Sequence, residues 1–161
     1  MTRSPDQGLA LVERYGAAEH WLAVLVTVRG NGEPSASVVN AGILAHPVTG
    51  ERVVAFVARG GTAKLANLRR QPRATLVFRA GWEWVGVSGP AELAGPDDPL
   101  PGLGPGALPG LLRDIFHAAG GHHDDLAEYD RVMAGERRTA VLVRPQRFAT
   151  NPPGTDHEEH P

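Results

Sequence analysis

The amino-acid sequence predicts one mainly β domain of α+β type, with strands that pair antiparallel. Three observations lead there. The chain has 161 residues of which 42% are hydrophobic, enough for one sizeable core and too few for two comfortable domains. Six short runs rich in Val, Leu, Ala and aromatic residues recur along it: 21–29, 34–44, 53–58, 74–79, 82–93 and 139–143. The turns between several of them are glycine turns of the hairpin kind: Gly30-Asn31-Gly32, Thr49-Gly50 and Ala80-Gly81.

The elements follow in order. Ser4-Pro5-Asp6-Gln7 has the spacing of a capping box with proline at the first helical position, and Leu9, Leu11, Val12 and Tyr15 continue it as a short helix. Residues 1–20 are therefore a helix and lead-in. The domain proper is expected over 21–149 and a disordered tail over 150–161. The run from Trp21 to Arg29 reads as a buried strand. The next, from Pro34 to Leu44, carries the small residues Ser35, Ala36, Ser37, Ala41 and Gly42. Small side chains leave room beside the backbone, either for a flat ligand or for close packing of another strand. Within the run from Trp82 to Leu93, Trp82, Trp84, Gly86 and Ser88 share one face, and Glu83, Val85 and Val87 share the other.

The segment from Arg59 to Arg73 stands apart. The strand ending at Ala58 is followed by Arg59, a Gly60-Gly61 turn, and Thr62 placed to cap a helix carrying Lys64, Asn67 and Leu68. Free N–H groups at that helix start, its positive dipole end and the Lys64 ammonium can converge on one phosphate. Between Glu51 and Glu83 lie seven basic residues and no acidic one, in a chain of net charge -2. Lys64 is also the sole lysine, so an ammonium was kept where arginine is the rule. On spacing alone the segment suits an anion cradle and a solvated basic face equally well.

Residues 95–110 hold five prolines and five glycines in sixteen positions, which predicts an irregular, mobile loop without helix or strand. Prolines interrupt its glycines and no strand precedes them, so it is not a dinucleotide-binding loop. Leu108, Leu111, Leu112, Ile115 and Phe116 then show helical spacing. Leu126, Tyr129 and Met133 mark a second short helix, which Asp124 is placed to cap.

Several chemistries are excluded or disfavoured. With no cysteine there are no disulfides, thiolate nucleophiles or thiolate metal sites, so redox work would need a cofactor; a reducing cytoplasm fits this composition. His122-His123-Asp124-Asp125 and His157-Glu158-Glu159-His160 contain metal-ligand residue types, but adjacent rather than spaced to converge on one ion, so no metal site is expected. No apolar run is long enough to span a bilayer, and no signal peptide pattern opens the chain. A soluble protein without membrane or nucleic-acid partners is expected, since the arginine segment lacks interleaved aromatic residues.

Three segments carry a family resemblance: 23–27 through 32–39, Thr62-Ala63-Lys64-Leu65-Ala66-Asn67-Leu68-Arg69-Arg70-Gln71-Pro72-Arg73-Ala74, and Val85-Gly86-Val87-Ser88-Gly89-Pro90-Ala91. On them the chain resembles the split β-barrel proteins related to pyridoxamine 5'-phosphate oxidase. The stretch from Gly121 to Tyr129, with Met133, Arg137 and Arg138, is similar to the branch that uses the deazaflavin coenzyme F-420. It departs from that branch at His123, where a proline is usual, and at Leu126, where an aromatic is usual. The resemblance implies a six-stranded antiparallel split β-barrel, a homodimer with cofactor sites at the subunit interface, and hydride transfer from reduced F-420 (8-hydroxy-5-deazaflavin) to an unsaturated small molecule. It also implies Arg59, Thr62, Lys64 and Asn67 around the cofactor phosphate, and Ser37, Val38, Val39 and Asn40 along the ring system. No residue is selected as proton donor. Two alternatives stand beside this: an FMN-dependent oxidase or reductase of the same fold, and a non-catalytic carrier of flavin, deazaflavin or tetrapyrrole.

Overall fold

A computed structural model describes residues 4–151. Helix α1 (Pro5–Ala18) opens it with the expected capping box: the Ser4 hydroxyl accepts from the Gln7 N–H, and the Gln7 side chain accepts from the Ser4 N–H. Its buried face, Leu9, Val12 and Tyr15, follows the helical spacing. Seven strands follow: β1 (Leu22–Val28), β2 (Pro34–Ala45), β3 (Arg52–Ala58), β4 (Arg73–Ala80), β5 (Glu83–Ala94), β6 (Thr139–Val143) and β7 (Arg147–Thr150). Between them lie α2 (Ala63–Arg70), α3 (Leu108–Ala118) and α4 (Leu126–Gly135).

All pairings are antiparallel, in the order β4-β1-β2-β3-β6-β5, and β5 returns to β4, which closes a six-stranded barrel. Closure depends on two long strands that change partners midway. The first part of β2 pairs with β1 as far as Asn40, and from Ala41 onward it pairs with β3. Likewise β5 pairs with β4 up to Pro90 and with β6 from Ala91. At the β5 switch a Cβ on Gly89 would stand 1.8 Å from the Arg144 carbonyl oxygen, so only glycine lets the backbones pass.

Alternation sorts the side chains into two cores. Inside the barrel, Leu25, Phe56, Leu76, Phe78, Val85 and Val141 pack with Leu9 and Val12 of α1 and with Leu65 and Leu68 of α2. Fully burying a side chain of this size contributes about 1.5–3 kcal/mol. The outward residues of β3 and β6, namely Val53, Ala55, Ala140 and Leu142, form a second core beneath Leu111, Leu112 and Ile115 of α3, with Tyr129 of α4 and Leu100.

Four details differ from the sequence expectation. The strand β7 is additional; four residues after a proline give little pattern to detect, and β7 is held by pairing with Val85–Ser88 of β5. It carries the sheet to Thr150, and the predicted tail beyond lies outside the described residues, as do His157 to His160. The cap of α4 is Asp125, whose carboxylate accepts from the Glu128 N–H at 3.1 Å, rather than Asp124, which contacts His122. The end of the 95–110 segment is helical: a 3-10 turn over Pro105–Ala107 runs into α3, whose first turn contains Pro109. Proline is compatible there because the first helical N–H groups have no partner in the helix. Upstream, Gly95 and Asp98 exchange backbone hydrogen bonds, Leu100 is buried, and Arg69 grips the Asp98 carboxylate with two bonds of 2.9 and 2.7 Å. Finally, Thr62 occupies the cap position of α2 without capping it; its hydroxyl donates to the Arg59 carbonyl at 2.9 Å.

Candidate functional site

The partner change in β2 leaves Val38, Val39 and Asn40 along one wall of a cavity of about 360 Å³. Val57 of β3 lies beside them. Lys64, in the first turn of α2, Ile115 and Phe116 of α3, and Tyr129 and Met133 of α4 line the rest of it. Arg138, just before β6, completes the lining. Four of the residues expected from sequence thus line one site, Val38, Val39 and Asn40 from β2 and Lys64 from α2.

Asn40 has a structural duty as well. The link from α1 to β1 passes through His20 and Trp21, both left-handed at φ 58°, a conformation that costs non-glycine residues about 1–2 kcal/mol each. The Asn40 side-chain N–H₂ holds that link by donating to the His20 carbonyl at 3.0 Å, and it also reaches the Ala119 carbonyl after α3 at 3.1 Å. Its Oδ1 has no hydrogen bond among the described residues, which leaves an acceptor on the cavity wall.

The basic segment divides by destination. Arg69 is tied to Asp98, Arg70 donates to Asn67 Oδ1 at 2.7 Å, Arg73 to Gln146, and Arg79 to the Gly81 carbonyl. Lys64 alone of the segment lines the cavity, and among the described residues its ammonium forms no ion pair. Arg59 does not line it. Its Nε stands 3.4 Å from Glu136 Oε2, the same oxygen that accepts from Arg138 Nη2 at 3.0 Å. Two guanidinium groups share one carboxylate, so with Lys64 this corner carries a surplus of two positive charges. Arg138 Nε is buried and has no hydrogen-bond partner among the described residues, an arrangement that costs desolvation energy unless a ligand supplies an acceptor.

The other expected residues lie elsewhere. Asn67 is 3% exposed and donates to Thr27 Oγ1 at 3.2 Å inside the barrel, Thr62 is turned to the Arg59 carbonyl, and Ser37 pairs with Leu25 outside the lining. Conversely, sequence reasoning placed none of Phe116, Tyr129, Met133 and Arg138 at the site, although the last three belong to the stretch that resembles the F-420 branch. Tyr129 and Met133 are four residues apart on α4, which marks a shared face and says nothing about what faces it. The Tyr129 hydroxyl donates to the Leu112 carbonyl at 3.2 Å, its ring lies 4.8 Å from Phe116, and burial pushes the phenol above its ordinary range, against the pull of Arg138.

A flat ring with an anionic tail fits these residues. Apolar walls would take the ring, and the ammonium and the orphaned guanidinium N–H would take the anion. Comparison with known proteins agrees in class. The pyridoxamine 5'-phosphate oxidase family model matches residues 12–103. Among solved structures, a conserved hypothetical protein from Mycobacterium tuberculosis superposes with a TM-score of 0.63 at 17% identity, over 93% of this chain and 85% of that one. An F-420 reductase gives 0.59 at 15% identity, over 91% and 98% respectively. A pyridoxamine 5'-phosphate oxidase-related, FMN binding protein from Nostoc punctiforme gives 0.59 at 15% identity, over 93% and 86%. The barrel is of the flavin-binding split-barrel class. Within that class the chain belongs to the pyridoxamine 5'-phosphate oxidase family. No helix among the described residues is long and apolar enough to cross a membrane.

Proposed function

We propose that the protein is an oxidoreductase that uses reduced F-420 to deliver a hydride to an unsaturated small molecule. The observation that carries this is the cation arrangement at the cavity: an ammonium and a buried guanidinium N–H that have, among the described residues, neither a counter-ion nor an acceptor respectively, in a cavity with apolar walls. Such a corner favours a phosphate over water. Because Thr62 leaves the α2 cap unfilled, the first N–H groups of that helix remain for the same anion, together with Lys64. Asn40 Oδ1 can accept an N–H from the ring edge while its amide group holds the wall in place. Bound there, the cofactor would supply the hydride, and the protein would supply binding, orientation and exclusion of water. The Tyr129 hydroxyl, engaged by the Leu112 carbonyl, would orient its ring rather than donate a proton. Arg59 would act through Glu136 by loosening that carboxylate's hold on Arg138.

The working form would be a cytoplasmic homodimer. Val38 is 64% exposed, and Leu22 and Val24 are 48% and 41% exposed on the adjoining strand, a combination that suits a contact with a second copy bordering the cavity. FMN is the competing cofactor, supported by the likeness to the FMN binding protein. A titration of the purified protein with F-420, FMN and haem, followed by fluorescence and absorbance, tests the assignment. Saturable binding of F-420 at lower concentration than the other two is expected. Saturation by FMN or haem alone would overturn it.

A further inference from the structure

Pro96-Asp97-Asp98-Pro99, in the segment after β5, binds one arginine close in the chain to each of the cations Lys64 and Arg138. Asp98 takes Arg69 of α2, the helix that carries Lys64, through two hydrogen bonds of 2.9 and 2.7 Å. Asp97 takes Arg137, the chain neighbour of Arg138. We propose that Asp97 and Asp98 are positioning residues for the anion site, a strap that sets where Lys64 and Arg138 stand relative to each other. This rests on the reading that those two cations hold the cofactor's anion, and it adds the residues outside the cavity that arrange them.

The strap itself is stiff. Its two prolines lock φ on either side of the aspartates, and Gly95 and Asp98 exchange backbone hydrogen bonds of 2.9 and 3.2 Å. A Cβ on Gly95 would stand 2.3 Å from Thr139 Oγ1, so the strap lies directly on the start of β6. At one end, Arg137 follows α4 in the left-handed conformation, φ 51°, where glycine is the unstrained choice. Its N–H donates to the Ala134 carbonyl and that of Arg138 to the Met133 carbonyl, the pair of bonds that ends the helix and brings Arg138 to the cavity. Arginine offers there what glycine lacks, a side chain for Asp97. At the other end, α2 has eight residues and no side-chain cap, so its orientation depends on what grips it from outside. Asp98, with a side chain 14% exposed, grips it at Arg69. By charge alone the two aspartates oppose an anion in the cavity, whereas as positioning residues they favour it. The two roles therefore have opposite signs in a binding experiment.

F-420 is titrated into the parent, Asp97→Asn, Asp98→Asn, Arg69→Met and the Arg69→Met/Asp98→Asn double variant. Affinity should fall about fivefold or more in each asparagine variant, and Asp98→Asn should add nothing once Arg69 is gone. Exposed ion pairs contribute little to stability, so the variants stay folded, which circular dichroism checks. A second readout needs no cofactor. Lys64 is the sole lysine, so reductive methylation with carbon-13, which keeps the charge, gives one lysine signal in the NMR spectrum beside that of the N-terminal amine. That signal should move in Asp98→Asn, and inorganic phosphate should saturate its shift at higher concentration than in the parent. Unchanged or tighter F-420 binding in one asparagine variant removes that residue from the strap, and in both overturns the proposal. A further loss on adding Asp98→Asn to Arg69→Met overturns action through Arg69. If F-420 fails to bind the parent, the cofactor reading falls and the phosphate titration decides: a weaker response in Asp98→Asn sustains the strap, and an equal response, or none in the parent, overturns it.

Discussion

The barrel has two apolar outer faces, and the chain treats them differently. The outward residues of β3 and β6 are covered by α3, α4 and the segment around Leu100, giving a second core in which Ala55 and Ala140 are fully buried. Among the described residues nothing comparable covers the outward residues of β1 and β2, and Leu22, Val24 and Val38 remain open. A sheet face of Val and Leu gains little in water, so in the homodimer proposed above the first cover is intramolecular and the second copy supplies the other. The cavity proposed for the cofactor lies along the boundary, lined by Val38 of β2 and by residues of α3 and α4.

The largest expected effect tests the covered face. Leu142→Ala should lower unfolding stability by about 2–5 kcal/mol, since Leu142 is 1% exposed between β6 and the helices. Urea denaturation measures it, and a loss below about 1 kcal/mol would mean that the helices only drape over the sheet. On the open face, Val24→Glu should leave the fold intact and weaken dimerisation roughly thirtyfold or more, the scale of a charge buried at an interface centre. Sedimentation across a concentration series checks this; unchanged association would deny that the open face is a contact between copies.

Next in size is the boundary. Lys64→Ala should weaken F-420 binding roughly ten- to a hundredfold, because a hydrogen bond to a charged group contributes about 1.5–3 kcal/mol. Arg73→Ala, whose side chain donates to Gln146, should change it little. Equal affinities for parent and both variants would remove the phosphate assignment. The smallest effect concerns Tyr129, which belongs to the covered face. Its folded phenol titrates above the ordinary value because burial disfavours the anion, so its stabilising effect is full below the unfolded value near 10 and is lost as pH rises beyond it. Tyr129→Phe should cost about 1 kcal/mol at neutral pH and flatten the alkaline loss of stability. A stability curve above pH 10 identical to the parent's would show that the phenol does not contribute.

Sequence by itself determined the local elements. The Ser4 capping box, the Gly30-Asn31-Gly32 turn and the alternation of Val and Leu act between neighbours in the chain, and they sufficed for α1, six of the strands and the basic segment with its helix. It also marked Lys64 as unusual, because composition alone makes a sole lysine conspicuous. Only the tertiary structure decided what that basic segment does. Arg69 and Arg70 carry the same charge on the same short helix as Lys64, yet the partners that occupy them, Asp98 and Asn67, are fixed by the path of the chain after β5 and the packing of α2. The same holds for Arg138, whose orphaned Nε follows from the position of Glu136 and from burial beneath the helices, and for Thr62, whose hydroxyl turned to a carbonyl instead of a cap. A cavity lined from residue 38 to residue 138 exists only once the barrel has closed, because closure brings together groups whose separation along the chain carries no local energy.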